Sequence, residues 1–334
     1  MYDGHTSSTP SKTGKGIMNY RQLGNSGLRV SVIGLGTNQF GGKVDQAGVN
    51  DIIDAALELG VNLIDTADVY QQGRSEETLG KALRGRWDKV VLATKVFHPM
   101  GDGPNDRGAS RYHIMNGVEA SLRRLGSDHI DLYQIHRWDE NTPIEETLRS
   151  LDDLVRSGKV RYVGASNFAA WQLARANAIA ELRGWSPFVS IQNHYHMLER
   201  DLEREVIPYC NAHSVGILPY FPLAGGFLTG KYRRGEAAPP GSRGESSPYV
   251  QRYMTDANYD KVEKLTAWAE ARGHTMGELA HAWLLSQPRI SSVISGATSI
   301  QQVQVNARST DWALSADEAV EVGSVLFRET TSDG

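Results

Sequence analysis

The strongest constraint in this sequence is an alternation. Short apolar, β-branched segments are separated by helical patterns, eight times over. The expected strands are 30–36 (VSVIGLG), 62–66, 90–96, 130–136, 160–165, 188–193, 216–221 and 290–295. Each is nearly continuous in apolar residues, as in a parallel sheet covered on both faces. Between them, residues 145–157 put Leu148, Leu151, Leu154 and Val155 on one stripe behind Thr142-Pro143, read as a cap and a first-turn proline. Residues 110–125 do the same with Ile114, Val118, Leu122 and Leu125, and Gly126 and Gly158 stop the two helices. Residues 222–289 hold a Gly/Pro-rich loop (222–248) and helical stretches at 258–272 and 276–287, an insertion before the last strand. The alternation predicts an α/β fold, a closed (β/α)8 TIM barrel. Two extended pieces within 19–33, flanking Asn25-Ser26-Gly27, predict an N-terminal β-hairpin closing its bottom.

Residues 1–17 lack a core-forming pattern and read as a disordered leader or artificial extension, with 18–334 a single barrel domain. The 334 residues carry 35 Lys+Arg against 39 Asp+Glu, a net charge of −4, which argues against a nucleic-acid partner. No apolar run has the roughly 20 residues of a membrane-spanning helix, so membrane insertion is not expected. The single cysteine, Cys210, builds no disulfide framework and fits a reducing cytoplasm.

Active sites of such barrels lie where strands end. The polar residues there are Asn38, Asp65 with Tyr70 five residues on, Lys95, His136, Ser166, Asn167, Gln192 and Tyr220. From Asp65 to Tyr220 they recur at the βα period and so converge on one rim. Asp65 and Lys95 follow apolar runs, so both are expected to be poorly solvated; they read either as a structural ion pair or as a device that tunes a neighbouring acid. Tyr70 is that acid: a cation beside a phenol makes it a better proton donor. His136 has no ligand-spaced partner on its strand, so no metal site is expected. The run GLGTNQ (34–39) lacks the third glycine of a dinucleotide fingerprint, and Gly34 and Gly36 read as turning strand one at the rim. The 34 glycines exceed the usual share; most punctuate βα units, while Gly24, just beyond the leader, says little about the barrel.

Several segments resemble the aldo-keto reductases: NLIDTADVYQQGRSEETLG (62–80), LATKV (92–96), DLYQIHRWDENTPIEETLRSLDDLVRSGKVRYVGASNF (131–168), IQNHYHMLERDLEREVIPYC (191–210) and PYFPLAGGFLTGKY (219–232). Within that family the chain is similar to bacterial ketone and aldehyde reductases related to the potassium-channel β subunits. The resemblance implies a catalytic tetrad of Asp65, Tyr70, Lys95 and His136, and hydride transfer between a nicotinamide and a small-molecule aldehyde or ketone. Tyr70 would protonate the oxygen, Lys95 lower its pKa, Asp65 hold Lys95, and His136 orient the carbonyl.

For the cofactor the resemblance implies NADP (NADPH) rather than NAD. Ser166, Asn167 and Gln192 would hold the carboxamide and Tyr220 would stack on the nicotinamide. Phe221, Pro222, Leu223, Ala224, Gly225 and Lys231 would line the pyrophosphate, with Arg243 as a lid. Gly296, Thr298, Gln302 and Asn306 would meet the adenosine, although Val305 stands where relatives usually have Glu. Loop residues Asn38, Phe40, Phe97 and Trp138 are the expected substrate contacts. Trp171, on a helical pattern, is read as outer-layer packing. The alternatives are a cofactor-sensing regulatory subunit of a membrane partner and a sugar-nucleotide ketoreductase of secondary metabolism. A homo-oligomer is left open.

Overall fold

The computed structural model describes residues 18–327, so the expected leader at 1–17 lies outside the described residues. A hairpin of β1 (Tyr20–Gln22) and β2 (Arg29–Ser31) comes first. Eight parallel strands follow: β3 (Ile33–Gly36), β4 (Leu63–Asp65), β5 (Val91–Val96), β6 (Ile130–Ile135), β7 (Val160–Ser166), β8 (Ser190–Gln192), β9 (Gly216–Ile217) and β10 (Val293–Gly296). Their order is β10-β3-β4-β5-β6-β7-β8-β9. Bridges from Ile217 to Ile290 and from Tyr220 to Ile294 join the two edges and close a (β/α)8 barrel.

Helices α1 (Gln46–Glu58), α2 (Arg74–Ala82), α3 (Arg111–Leu125), α4 (Ile144–Arg156), α5 (Ala170–Arg183) and α6 (Val206–His213) cover the sheet. The insertion contributes α7 (Arg243–Ser246), α8 (Pro248–Gln251), α9 (Asp256–Glu270) and α10 (Met276–Ser286), and α11 (Ile300–Arg308) and α12 (Ala316–Phe327) complete the chain. No helix among the described residues is long and apolar enough to cross a membrane.

Period-two alternation divides the core. Leu63, Val91, Ala93, Leu132, Leu218 and Ile294 pack with Leu23 and Val30 of the hairpin in one cluster inside the barrel. The hairpin thus plugs the bottom, and Arg21 pins it by donating to the carbonyls of Ile290 (2.8 Å) and Leu285 (2.9 Å). Alternate residues such as Ile64, Leu92, Tyr133 and Ile135 join the larger cluster between sheet and helices. Continuing the inward series one step up each strand gives Asp65, Lys95 and Gln134, a polar layer resting on an apolar floor.

Three local expectations are corrected. The segment 30–36 is two strands broken at Val32: Ser31, the last residue paired in the hairpin, bonds Asn62 through its amide (2.7 Å) and the Ile33 carbonyl through its hydroxyl (2.6 Å). Gly34 does not turn the chain at the rim; it sits within β3, where a Cβ would come 2.8 Å from Ile294 and 3.0 Å from Leu63. Gly24 is structural after all: its φ is +56°, and a Cβ would lie 2.0 Å from the Val189 carbonyl. In addition, α4 starts after Pro143 without a side-chain cap, since the Thr142 hydroxyl donates to Asp139 instead.

His281 of α10 is buried against β10, with Nε2 2.7 Å from the Ser295 hydroxyl. Burial pushes its pKa down to about 4. In the unfolded chain it titrates at about 6.5. Between these values the unfolded chain binds a proton that the folded one refuses, so stability is lost as pH falls below about 6.5. Melting temperatures of wild type and His281→Gln from pH 7.5 to 4.5 should show the steeper acid loss in wild type. Identical slopes would contradict this.

Candidate active site

The polar layer of the barrel centres on a buried ion pair. Lys95 is 0% exposed and Asp65 2%. Lys95 Nζ lies 2.7 Å from Asp65 Oδ2, donates to the Thr66 carbonyl at 2.7 Å, and reaches the Tyr70 hydroxyl at 3.4 Å. The other Asp65 oxygen accepts from Gln192 Nε2 (2.7 Å) and from Gln134 Nε2 (3.4 Å). Both charges therefore have partners, which an ion pair out of water requires. Gln134 was not singled out from sequence; it lies near the end of β6, two residues before His136, which follows that strand.

Burial works against the Lys95 ammonium, but Asp65 and then Tyr70 outweigh it and hold its pKa above the ordinary value. For Tyr70 burial wins. The phenol is pushed above its usual value, and Lys95 only partly offsets this. Lys95 lowers the Tyr70 pKa as expected, but burial outweighs it, so the phenol is held in its protonated form with a cation placed to stabilise the anion it would leave.

Tyr70 begins a short 3-10 segment in which Gln71 (φ 51°) and Gln72 (φ 57°) are left-handed. Such backbone is unfavourable for residues with side chains. It is held by Gln71 Nε2 donating to the Asn38 carbonyl at 2.9 Å. His136 meets the Tyr70 ring edge-on at 5.9 Å and the His98 ring at 4.6 Å. Burial, with help from the Lys95 and His98 charges, drives its pKa down to about 2, so the imidazole is neutral. His136 Nδ1 is buried without a partner. An orphaned lone pair costs less than an orphaned N–H, which favours the tautomer carrying hydrogen on Nε2.

The residues expected at the carboxamide come together. Asn167 (φ 55°) donates from Nδ2 to the His136 carbonyl and to Ser166 Oγ, both at 3.0 Å, and its Oδ1 accepts from Tyr220 OH at 2.9 Å. Ser166 Oγ donates to the Gln192 carbonyl at 2.8 Å. His194, unassigned from sequence, stacks on Tyr220 with centroids 5.3 Å apart and planes 8° off parallel. Tyr249 of α8 lies 3.0 Å from His194 Nδ1, so the insertion braces this side of the site.

Beyond Tyr220 the loop from Phe221 through Pro222 and Leu223 to Gly226 is left-handed at Phe221 (61°), Ala224 (48°), Gly225 (68°) and Gly226 (98°). Within it the Ala224 amide donates to the Phe221 carbonyl (3.0 Å) and the Gly226 amide to the Leu223 carbonyl (2.8 Å), which holds the loop in a tight turn. A Cβ at Gly226 would lie 2.7 Å from Lys231 Nζ, so only glycine lets that ammonium lie against the loop. Arg243 opens α7, where the Gly244 amide donates to Tyr232 OH at 2.9 Å, next to Lys231. Gly296 ends β10 beside the start of α11. There Gln302 Oε1 accepts from the Thr298 amide at 2.7 Å; Asn306 is buried further along α11, and Val305 is exposed.

The expected substrate contacts divide. Asn38 and Phe97 stand at strand ends, and Phe97 meets His98 edge-on at 5.5 Å. Trp138 packs edge-on against Phe168 and against Trp171, which is 57% exposed and so is not outer-layer packing. Phe40 is corrected: it is 0% exposed and belongs to the core beneath the rim. Asp139 staples the loop after His136 to that after β5, accepting from the Ala109 amide and the Thr142 hydroxyl, each at 2.7 Å. Among the described residues no group of three or more His, Cys, Asp or Glu is placed to hold a metal ion.

Asp65→Asn leaves the Lys95 charge buried without its anion. It should cost about 3–5 kcal/mol of unfolding free energy, read by urea denaturation. A loss under about 1 kcal/mol would show that the pair does not organise the barrel.

Comparison with known proteins agrees with this geometry. A model of the Aldo/keto reductase family matches residues 32–326. The chain is 39% identical over 302 residues to a probable voltage-gated potassium channel subunit beta of Arabidopsis thaliana, covering 88% of this chain and 92% of that protein. It is 37% identical over 310 residues to the uncharacterized oxidoreductase YrpG of Bacillus subtilis (strain 168), covering 89% and 92%. It is 36% identical over 297 residues to versiconal hemiacetal acetate reductase of Aspergillus parasiticus, covering 81% and 86%. With that match spanning nearly the whole barrel, the chain belongs to the aldo/keto reductase family.

Proposed function

We propose that the protein is an NADPH-dependent reductase that converts an aldehyde or ketone to an alcohol, with Tyr70 as general acid. The observation that carries this reading is the contact of a buried, Asp65-paired Lys95 with the Tyr70 hydroxyl. A packing tyrosine needs no such neighbour. A proton donor does, because a cation stabilises the phenolate that forms as the proton leaves. NADPH, when bound, supplies the hydride. The chain's own groups do the rest. His136, as the neutral Nε2–H tautomer, donates to the carbonyl oxygen and fixes its direction. Tyr70 delivers the proton to that oxygen. Asp65 keeps Lys95 in place, and Gln134 and Gln192 keep Asp65 in place.

Asn167, Ser166 and Gln192 suit the amide end of a nicotinamide, Tyr220 offers a ring face braced by His194, and the left-handed loop with Lys231 suits the phosphates. Trp138, Phe97 and the exposed Trp171 favour an apolar or aromatic carbonyl. A sensing subunit, suggested by the channel-type relative, would not require the complete tetrad, which favours catalysis.

The test is absorbance loss of NADPH, and separately of NADH, with a panel of aromatic aldehydes, α-dicarbonyls and bulky ketones. Tyr70→Phe should lower kcat by about a hundredfold or more while still binding NADPH. Undiminished turnover in that variant would sink the mechanism.

A further inference from the structure

Two residues before Tyr70 the same turn carries Asp68, a carboxyl group the chemistry above leaves unused. Asp68 is 1% exposed, and no side chain donates to either of its oxygens; the backbone at Val69 is the donor nearest to them. The Asp68 amide donates to the Lys95 carbonyl at 3.2 Å, which seats it on the strand that bears the lysine. The charged or titratable groups within electrostatic reach are Glu76 of α2, Arg124 of α3, Lys95 of β5, Tyr133 of β6 and Tyr70 on its own turn.

None of them neutralises it. Arg124 is committed to Glu76 (2.7 Å) and to the Ser121 hydroxyl (3.3 Å). The other Glu76 oxygen accepts from the Thr94 hydroxyl at 2.6 Å. Lys95 is held by Asp65 and the Thr66 carbonyl. The Tyr133 hydroxyl is itself buried without a partner. Asp68 therefore has no free cation and has a buried carboxylate, Glu76, nearby. Desolvation and like-charge repulsion both disfavour a second carboxylate there. Burial first, then Glu76, push its pKa up to about 8, against slight relief from the Val69 amide, Arg124 and Lys95.

We propose that Asp68 is a positioning residue of the reductase site: it works as a neutral acid beside the Tyr70 turn, and its ionisation, by adding a negative charge beside the phenol, weakens Tyr70 as a proton donor. The proposal rests on the reductase reading. It makes the acid strength of Tyr70 depend on pH through a group that never touches substrate. While Asp68 is neutral, the charge facing Tyr70 is that of the Lys95–Asp65 pair. When Asp68 ionises, the phenol holds its proton more tightly and reduction slows.

The experiment compares pH profiles of kcat for carbonyl reduction in wild type and Asp68→Asn, each normalised to its value at pH 7. The wild-type profile should fall about threefold across an inflection near pH 8, as expected when about half of a one-unit change in donor acidity is felt in the transition state. Asp68→Asn should lack that inflection, and Asp68→Glu should retain one. Profiles of the same shape in wild type and Asp68→Asn would overturn the proposal and leave Asp68 a packing residue. A second measurement needs neither turnover nor a folded Asn variant. Infrared difference spectra of the wild-type protein between pH 7 and pH 9 should show loss of the C=O stretch of a protonated carboxylic acid, with the band shifted in Asp68→Glu. Absence of that band overturns the proposal. A wild-type protein that oxidises no NADPH overturns the reductase reading separately, while the infrared band still decides whether Asp68 is a neutral acid.

Discussion

A lysine ammonium and an aspartate carboxylate share the interior of this barrel, 2.7 Å apart and almost wholly out of water. Much of the rest follows from keeping them there. A pair like this is tolerable only when every remaining hydrogen-bonding capacity is met in fixed geometry. The barrel provides that geometry from three further places: the Thr66 carbonyl after β4, Gln134 on β6 and Gln192 on β8. These come from alternate strands, with β5 and β7 between them, and parallel register sets them at one height, Lys95 opposite Gln134 and Ser166 opposite Gln192. The hairpin plug and the apolar floor below supply the packing that keeps the polar layer at one height.

The rim is built differently. Its backbone departs from regular structure wherever a functional side chain or a close approach is needed: after Tyr70, at Asn167, and from Phe221 to Gly226. Each departure is unfavourable locally and is held by contacts from elsewhere, such as Gln71 on the Asn38 carbonyl or Tyr220 on Asn167. Rigid strands fix the ion pair while constrained loops carry the groups proposed to meet ligands, the division of labour expected of a barrel enzyme. Asp68 sits at the junction of the two, on the Tyr70 turn but anchored to β5.

Much of this was legible in the sequence. Eight apolar runs separated by helical stripes leave few folds other than a closed parallel barrel, and polar residues at strand ends mark the rim. Asp65, Lys95 and His136 stood out because they recur at the βα period, and Tyr70 because it follows Asp65 by five residues; their grouping as a tetrad came only from the family resemblance. What escaped depends on contacts with no periodic trace. The bracing of Tyr220 by His194 and Tyr249 joins residues 55 positions apart through an irregular insertion. Phe40 looked like a rim residue because it follows a strand end, but the chain turns it into the core. The break at Val32 lies inside an apolar run that hydrophobicity alone cannot divide. The net rise in the Tyr70 pKa is a competition between burial and a cation, and only the degree of burial decides it. Gln134, by contrast, was within reach of the period-two rule, two residues after the inward-facing Leu132 on β6.

The central claim is that the buried pair exists to make Tyr70 a proton donor, not merely to hold the barrel together. Single-turnover kinetics of NADPH with an aromatic aldehyde, measured on folded Lys95→Met alongside NADPH binding by fluorescence, tests it most directly. The account predicts that hydride transfer slows by about a hundredfold or more while NADPH affinity stays within about threefold. Loss of cofactor binding in step with turnover would contradict it and mark Lys95 as a structural or cofactor-site residue.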